Sequence, residues 1–339
     1  MFFVTFDKKI GDIERKIGAR VFHVPPIRDG VFKYYQILNE LMKNNKFDAI
    51  HSNIGIYSFI CLFVAWKNKI KIRICHSHNF QKKMTLLFKI KKGVFKFLNN
   101  TFATHFVACG TDAAIWQFGK QNVNNNKVLI LNNAVEIEKF KFDLCKRNEI
   151  REKLQIQDKF VIGHVGRFTF EKNHKFIISL AQRLKKIRKD FIFLLVGDGP
   201  ELDIIKSEIK HNDLNDYIIL LGARADVNEL LNAFDLFILP SLFEAFPVTL
   251  IEAQVNGLSC LVSDNVTLEA KENKDFEFVP VEDEEKLDIW IKYICEVIDN
   301  RYYNRGIYNK DLNKYGIETI IKELEQFYKK ILIGGKNGK

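Results

Sequence analysis

Residues Leu236–Gly257 read LFILPSLFEAFPVTLIEAQVNG. The apolar run Leu236–Leu239 predicts a buried strand, stopped by Pro240 and Ser241. A short loop carries Glu244 and Phe246. Pro247 suits the first residue of a helix, where its missing N–H costs nothing. The helix is expected to run to Asn256, with Gly257 as its C-terminal cap. Glu244 and Glu252 stand eight positions apart, one in the loop and one in the helix. Strand, loop and helix N-terminus, with Phe246, Pro247 and Val248 at the mouth, form a crevice suited to an anion. The alternative is that both glutamates are solvated surface residues.

Upstream, Phe160–Phe170 reads FVIGHVGRFTF and is followed by EKNH. A second buried strand ends in Gly166, with Arg167 just beyond it and Lys172 five residues later. A helix is predicted from Asn173 to Ile187. A planar guanidinium fork and an ammonium point charge at one strand end suit a diphosphate. Strand Phe191–Val196 runs into GDGP, where Gly197 and Gly199 would let backbone approach a ligand. Strand Tyr217–Leu221 ends in GAR, followed by a helix over 226–233 capped by Asp226. Strands at 259–263 and 276–281 and a helix over 284–299 complete this half.

The spacings GRxxxxK and ExxxxxxxE resemble those of the retaining glycosyltransferases of the GT-B family 4, also called group 1. The phrases VGDGP, LPSLFEAFPVTLIEAQVNGL and LVSDNVTLEA are most similar to its bacterial capsular and exopolysaccharide branch. The resemblance covers nearly the whole chain and is specific from Phe160 to Ala270. It implies an α/β fold of two Rossmann-like doubly wound domains. The boundaries expected are 1–145 for the acceptor-side domain and 146–315 for the donor domain. A C-terminal helix over 316–339 is expected to pack back on the first domain.

The resemblance also implies the site. Gly166, Arg167, Lys172, Gly197, Arg224, Glu244, Phe246, Pro247, Val248 and Glu252 would bind the donor, a nucleotide-diphosphate sugar with UDP-sugars foremost. Glu244 would hold sugar hydroxyls, Glu252 the ribose, and Arg224 would lie near the base. Arg167 and Lys172 would neutralise the departing diphosphate. Together with Glu244 and His76 they form the catalytic set. No metal and no further cofactor is expected. KNH stands here where the common motif has KG.

The first half alternates strands at 1–6, 19–24, 48–52, 71–76, 104–110 and 127–131 with helices at 12–18, 30–44 and 57–67, a parallel pattern. Relatives usually begin with one more strand and a loop like GGxE. The expectation is therefore a first domain lacking its first strand, through a misplaced start or a truncated gene, which would compromise activity. The sequence HSHN closes strand 71–76. His76, His78 and Asn79 are the acceptor-side candidates, and strand register matches His76 to the family's sugar-facing histidine. Two histidines two apart could also ligate a metal, but no carboxylate or cysteine cluster joins them.

Residues 1–145 hold 23 Lys and Arg against 10 Asp and Glu, whereas the remainder holds 29 against 32. The basic excess points to an acidic partner for the first half: anionic lipid, a phosphate-bearing acceptor or nucleic acid. The segment 81–99 interleaves Lys82, Lys83, Lys89, Lys91, Lys92 and Lys96 with apolar residues, as in an interfacial membrane contact. A solvated helix with one core face is the alternative. No nucleic-acid module is read, and the resemblance implies a glycan or lipid-linked glycan as the acceptor. Six cysteines stand singly with no CxxC, which speaks against a zinc site or a disulfide framework. No signal peptide and no run of about 18 apolar residues is read. The location expected is cytoplasmic, peripheral at the inner membrane face. Rival functions on the same fold are a nucleotide-sugar epimerase, a sugar phosphorylase, or an inactive membrane-binding homologue.

Overall fold

The computed structural model describes residues 2–6, 20–78, 80, 85–281, 284–300, 305 and 308–337. The expected helix 12–18, Asn79 and the lysines at 82 and 83 lie outside them. The chain divides into two compact units. The first comprises the chain up to His78, residues 85–130, and the chain from Phe327 onward. The second is Leu131–Gln326.

The first unit has two separate parallel sheets. Strands β1 (Phe2–Thr5) and β2 (Arg20–His23) pair with each other. Strands β3 (Ala49–Ser52), β4 (Ile72–Ser77), β5 (His105–Ala108) and β6 (Val128–Ile130) pair in that order. Helices Val31–Asn44 and Ser58–Lys67 bury Tyr34, Leu38, Met42, Ile60 and Val64 in one core. Residues Lys120–Asn124 form a short helix, entered from Gly119 at φ +94°. The last helix, Ile317–Asn337, belongs to the first unit from Phe327, where Phe327 meets His105 edge-on at 6.0 Å.

The second unit is one six-stranded parallel sheet. Its strands are β7 (Phe160–Val165), β8 (Phe191–Val196), β9 (Ile218–Gly222), β10 (Leu236–Leu239), β11 (Ser259–Ser263) and β12 (Phe276–Val279). They lie in the order β12-β11-β10-β7-β8-β9. Every residue of β8 and β10 is buried, as expected for strands covered on both faces. Alternate residues divide between two cores: Phe191, Phe193 and Leu195 face one, Ile192, Leu194 and Val196 the other. Helices His174–Ile187, Leu202–His211 and Glu284–Asn300 cover the first face. Helices Leu144–Lys153, Val227–Ala233 and Val248–Val255 cover the second.

The boundary falls at Leu131 rather than at 146. Val135 N donates to Tyr315 O at 2.8 Å, and Ile317 N donates to Val135 O at 3.1 Å. Asp143 N donates to Asn232 Oδ1 at 2.8 Å. Those bonds tie the stretch before 146 to the second sheet's surroundings. Helix Leu144–Lys153 begins inside this stretch and packs Ile150 into the second unit's core.

Candidate functional site

The chain order reverses direction between β7 and β10: from β7 the sheet grows to β8 and β9 on one side and to β10, β11 and β12 on the other. Loops leaving such a switch point at the strands' C-terminal ends splay apart and leave a crevice. The loop after β7 carries Gly166, Arg167 and Lys172, and the loop after β10 carries Ser241 and Glu244. The two are stitched together. Leu242 N donates to Glu171 O at 2.8 Å, and Asn173 Nδ2 donates to Pro240 O at 3.1 Å. Asn173 itself is left-handed (φ 57°, ψ 45°), which asparagine tolerates better than most residues. The helix therefore starts at His174, one residue later than expected.

Beside this crevice lies a cavity of about 410 Å³ lined by Gly166, Arg167, Gly197, Asp198, Gly199, Ala223 and Arg224, among others. Four of the predicted donor residues thus meet in one hollow. Its floor is backbone held too close for side chains. A Cβ on Gly197 (φ +147°) would lie 1.9 Å from Gly166 O, and one on Gly199 2.4 Å from Phe168 O. Arg167 is exposed and forms no ion pair among the described residues. Arg224 is already engaged: its fork donates to both Asp226 carboxylate oxygens, at 2.8 and 2.6 Å. Asp226 is correspondingly not a side-chain cap of helix Val227–Ala233, because its oxygens are spent on Arg224.

Lys172 and Glu244 pair directly at 2.5 Å, with side chains only 16% and 15% exposed. Ser241 Oγ donates to the same carboxylate oxygen at 3.0 Å. The notion of Glu244 as a solvated loop residue is thereby corrected, and Ser241, which carries no motif, joins the site. Beneath them His164 and His174 are buried and neutral. Burial pushes the His164 pKa down to about 4 and that of His174 to about 2, with Lys172 adding to both shifts. His174 stacks on Phe168 at 3.8 Å.

Pro247 is the residue before the helix (ψ 111°) rather than its first, because helix Val248–Val255 begins one position later. Gly257, at φ +75°, ends it as expected. Phe246 is buried against Tyr315 at 5.4 Å, and Val248 is half-buried. Glu252 is half-buried on this helix and forms no ion pair among the described residues. Burial pushes its pKa up to about 7.

In the first unit His76 lies near the end of β4, only 6% exposed. His51, on β3, reaches it: His51 Nε2 is 3.1 Å from His76 Nδ1. His78 is half-buried, its ring 4.0 Å from that of His76, and its Nε2 lies 3.3 Å from Asn53 Oδ1. Asn79 lies outside the described residues. His51 and Tyr328, 2.6 Å from it, escaped sequence reasoning. The strand-end position of His51 was the one available signal, and Tyr328 offered none. Among the described residues no group of three or more His, Cys, Asp or Glu side chains could hold a metal ion. No helix among them is long and apolar enough to cross a membrane.

Residues 146–319 match the family model described as glycosyl transferases group 1. EpsF of Bacillus subtilis (strain 168), assigned as a glycosyltransferase without further detail, is 34% identical over 256 residues, covering 74% of this chain and 67% of EpsF. The UDP-Gal:alpha-D-GlcNAc-diphosphoundecaprenol alpha-1,3-galactosyltransferase of Escherichia coli is 25% identical over 327 residues, covering 92% and 84%. Among solved structures, Anabaena Alr3699/HepE in complex with UDP superposes with a TM-score of 0.80 at 18% identity. That superposition covers 97% of this chain and 92% of that one, and at such identity it shows the fold. The chain belongs to the group 1 glycosyltransferases, transferase enzymes, and carries their two Rossmann-like α/β domains.

Proposed function

We propose that the chain moves a sugar, with retention of anomeric configuration, from a nucleotide-diphosphate sugar to a saccharide or lipid-linked saccharide in cell-surface polysaccharide synthesis. The observation that carries this reading is the cavity at the switch point, where side-chain-free backbone at Gly197 and Gly199 meets the uncommitted guanidinium of Arg167. Such a floor admits phosphate oxygens to N–H groups and to a cation at once. Structures of HepE hold UDP and UDP-glucose. Named relatives act on diphosphoundecaprenol-linked sugars. A capsular polysaccharide glycosyltransferase, CapH of Staphylococcus aureus, is 23% identical over 296 residues.

In this reading Arg167 and Lys172 stabilise the charge that builds on the departing diphosphate. Lys172 does so while paired with Glu244, so diphosphate and sugar are held by one ion pair. Glu244 positions sugar hydroxyls, and Glu252 accepts from the ribose. No carboxylate is assigned as a nucleophile. The leaving phosphate itself takes the acceptor's proton on the face it departs from.

Calorimetry with UDP and with UDP-glucose tests the division of labour. Glu252→Gln should weaken both ligands alike. Glu244→Gln should spare UDP and weaken only the intact donor, with a lower turnover. Equal proportional losses in the two variants would sink the assignment.

The same reading takes the first unit to an anionic membrane that presents the acceptor. Helix Leu86–Phe102 contains no acidic residue and exposes Leu86, Leu87, Ile90, Val94 and Phe97 beside Lys89 and Lys91. An apolar hollow of about 510 Å³ opens nearby, lined by Phe32, Phe59, Phe63, Leu98 and Phe102. Exposed apolar residues beside lysines are the surface chemistry of an interfacial helix. Flotation with vesicles containing anionic lipid should carry the protein, and neutral vesicles should not. Equal flotation with both, or with neither, would count against the membrane contact.

A further inference from the structure

His51 stands between two partners. Its Nδ1 lies 2.6 Å from Tyr328 Oη, and its Nε2 lies 3.1 Å from His76 Nδ1. The histidine rings are near parallel, 25° apart with centroids at 5.1 Å, and Tyr328 meets His51 edge-on at 78°. His76 Nε2 is buried and has no hydrogen-bond partner among the described residues. The row is thus a file of three side chains from β3, β4 and the last helix, with one nitrogen left over at its end.

Each link in the file has room for one hydrogen, so the direction at one end fixes all the others. Burial raises the pKa of Tyr328, and the phenol keeps its proton. At 2.6 Å the link has the length of a bond from an O–H donor and is shorter than bonds from N–H donors, so the phenol donates to His51 Nδ1. Burial also holds both imidazoles neutral, with pKa values lowered to about 4 for His51 and about 2 for His76. A neutral His51 that accepts at Nδ1 carries its hydrogen on Nε2 and donates it to His76 Nδ1. A neutral His76 that accepts at Nδ1 carries its own hydrogen on Nε2, the unpartnered atom.

We propose that Tyr328 and His51 are positioning residues that fix His76 as its Nε2–H tautomer, so that the first unit presents a hydrogen-bond donor and not a lone pair to a sugar oxygen. The proposal rests on the sugar-transfer reading for what His76 meets, but the tautomer chain stands on the first unit alone. A bare imidazole could rotate or exchange tautomers, presenting a lone pair where a donor is required. A phenol at the far end of the file removes that freedom without touching substrate.

Nitrogen-15 NMR of the histidine-labelled full chain reads the tautomers directly. His51 and His76 should both appear as Nε2–H. In Tyr328→Phe the His51 signal should move toward a mixture. With the variant still folded by circular dichroism, kcat for sugar transfer should fall about three- to tenfold, the scale of one neutral hydrogen bond. The donor KM should change less than about twofold, since the lost bond is remote from ground-state binding. His51→Gln keeps an acceptor and a donor in one side chain, so it should retain more activity than His51→Ala. An Nδ1–H tautomer at His76 in the parent protein would overturn the proposal. So would unchanged tautomers and unchanged kcat in Tyr328→Phe, or equal loss in the two His51 variants. The tautomer measurement needs no substrate, so failure of the sugar-transfer reading and failure of the relay are told apart.

Discussion

Strands β7 and β10 carry charge at both ends, and the two ends are built on opposite terms. At the N-terminal end Asp235 is 3% exposed and takes Arg147 at 2.5 Å on one oxygen and Arg151 on the other. Val161 N donates to the same carboxylate at 2.7 Å. The guanidiniums spend their remaining hydrogens on backbone: Arg147 on Phe234 O at 2.8 Å, Arg151 on Ala233 O at 2.9 Å. One carboxylate there answers two guanidiniums, and a third, Arg305, donates to the same backbone at Asn232 O and Leu231 O. At the C-terminal end Arg167 is exposed and Glu252 half-buried, and neither forms an ion pair among the described residues. Among the described residues the Lys172 ammonium and the Glu244 carboxylate have only each other and one serine. A closed charge network holds the sheet, whereas an open one leaves hydrogen-bonding capacity for a ligand.

Breaking the closed end should have the largest effect. Asp235→Asn keeps the side chain's volume but leaves two buried guanidiniums without an anion. Unfolding free energy in urea should fall by about 3–5 kcal/mol, while the folded fraction keeps its affinity for UDP. A loss below about 1 kcal/mol would erase the contrast drawn between the ends.

The second test is the pH dependence at Glu252. Its folded pKa, about 7, lies above the unfolded value of 4.5. The native state therefore binds the extra proton between those values. Stability linked to this group is fully present below pH 4.5 and is lost as pH rises through 7. Glu252→Gln is neutral throughout, so it should be more stable than the parent at pH 8 by up to about 3 kcal/mol. The gain should shrink to nothing near pH 4.5. Denaturant melts at the two pH values decide it, and a pH-independent difference would refute the buried-carboxyl explanation.

The smallest effect on stability, and the most selective one, is expected at Arg167. Arg167→Ala should weaken UDP by about 1.5–3 kcal/mol, the range of charge-assisted hydrogen bonds. Its melting should stay within about 0.5 kcal/mol of the parent, as for a surface residue with no partner. Unchanged calorimetric affinity would remove Arg167 from the site.

The open end was legible in sequence because its signals are local. GRxxxxK and ExxxxxxxE each span fewer than a dozen residues, and the strands that launch them are continuous apolar runs. The closed end was not legible, because Arg147 and Asp235 are 88 positions apart. Arg151 sits one helical turn beyond Arg147 on the same helix, but nothing in that spacing names the carboxylate that both meet. The histidine file shows the same limit more sharply, since His51 and Tyr328 are separated by 277 positions. Only the β3–β4 register and the course of the last helix bring them together. Pattern also misjudged what residues do at element ends. Asp226 had the right type for a cap and was taken by Arg224, and Pro247 had the right geometry for a first helical turn but precedes it.

The stitching of the two loops has a consequence for how such a site can diverge. Because Leu242 bonds to Glu171 and Asn173 bonds to Pro240, an insertion in either loop displaces the other, and Lys172 and Glu244 shift together. Neither loop is an independent unit of variation. Substitutions that keep loop length leave the Leu242–Glu171 bond in place, since both of its groups are backbone, so a library at fixed length is tolerated where one of varied length is not.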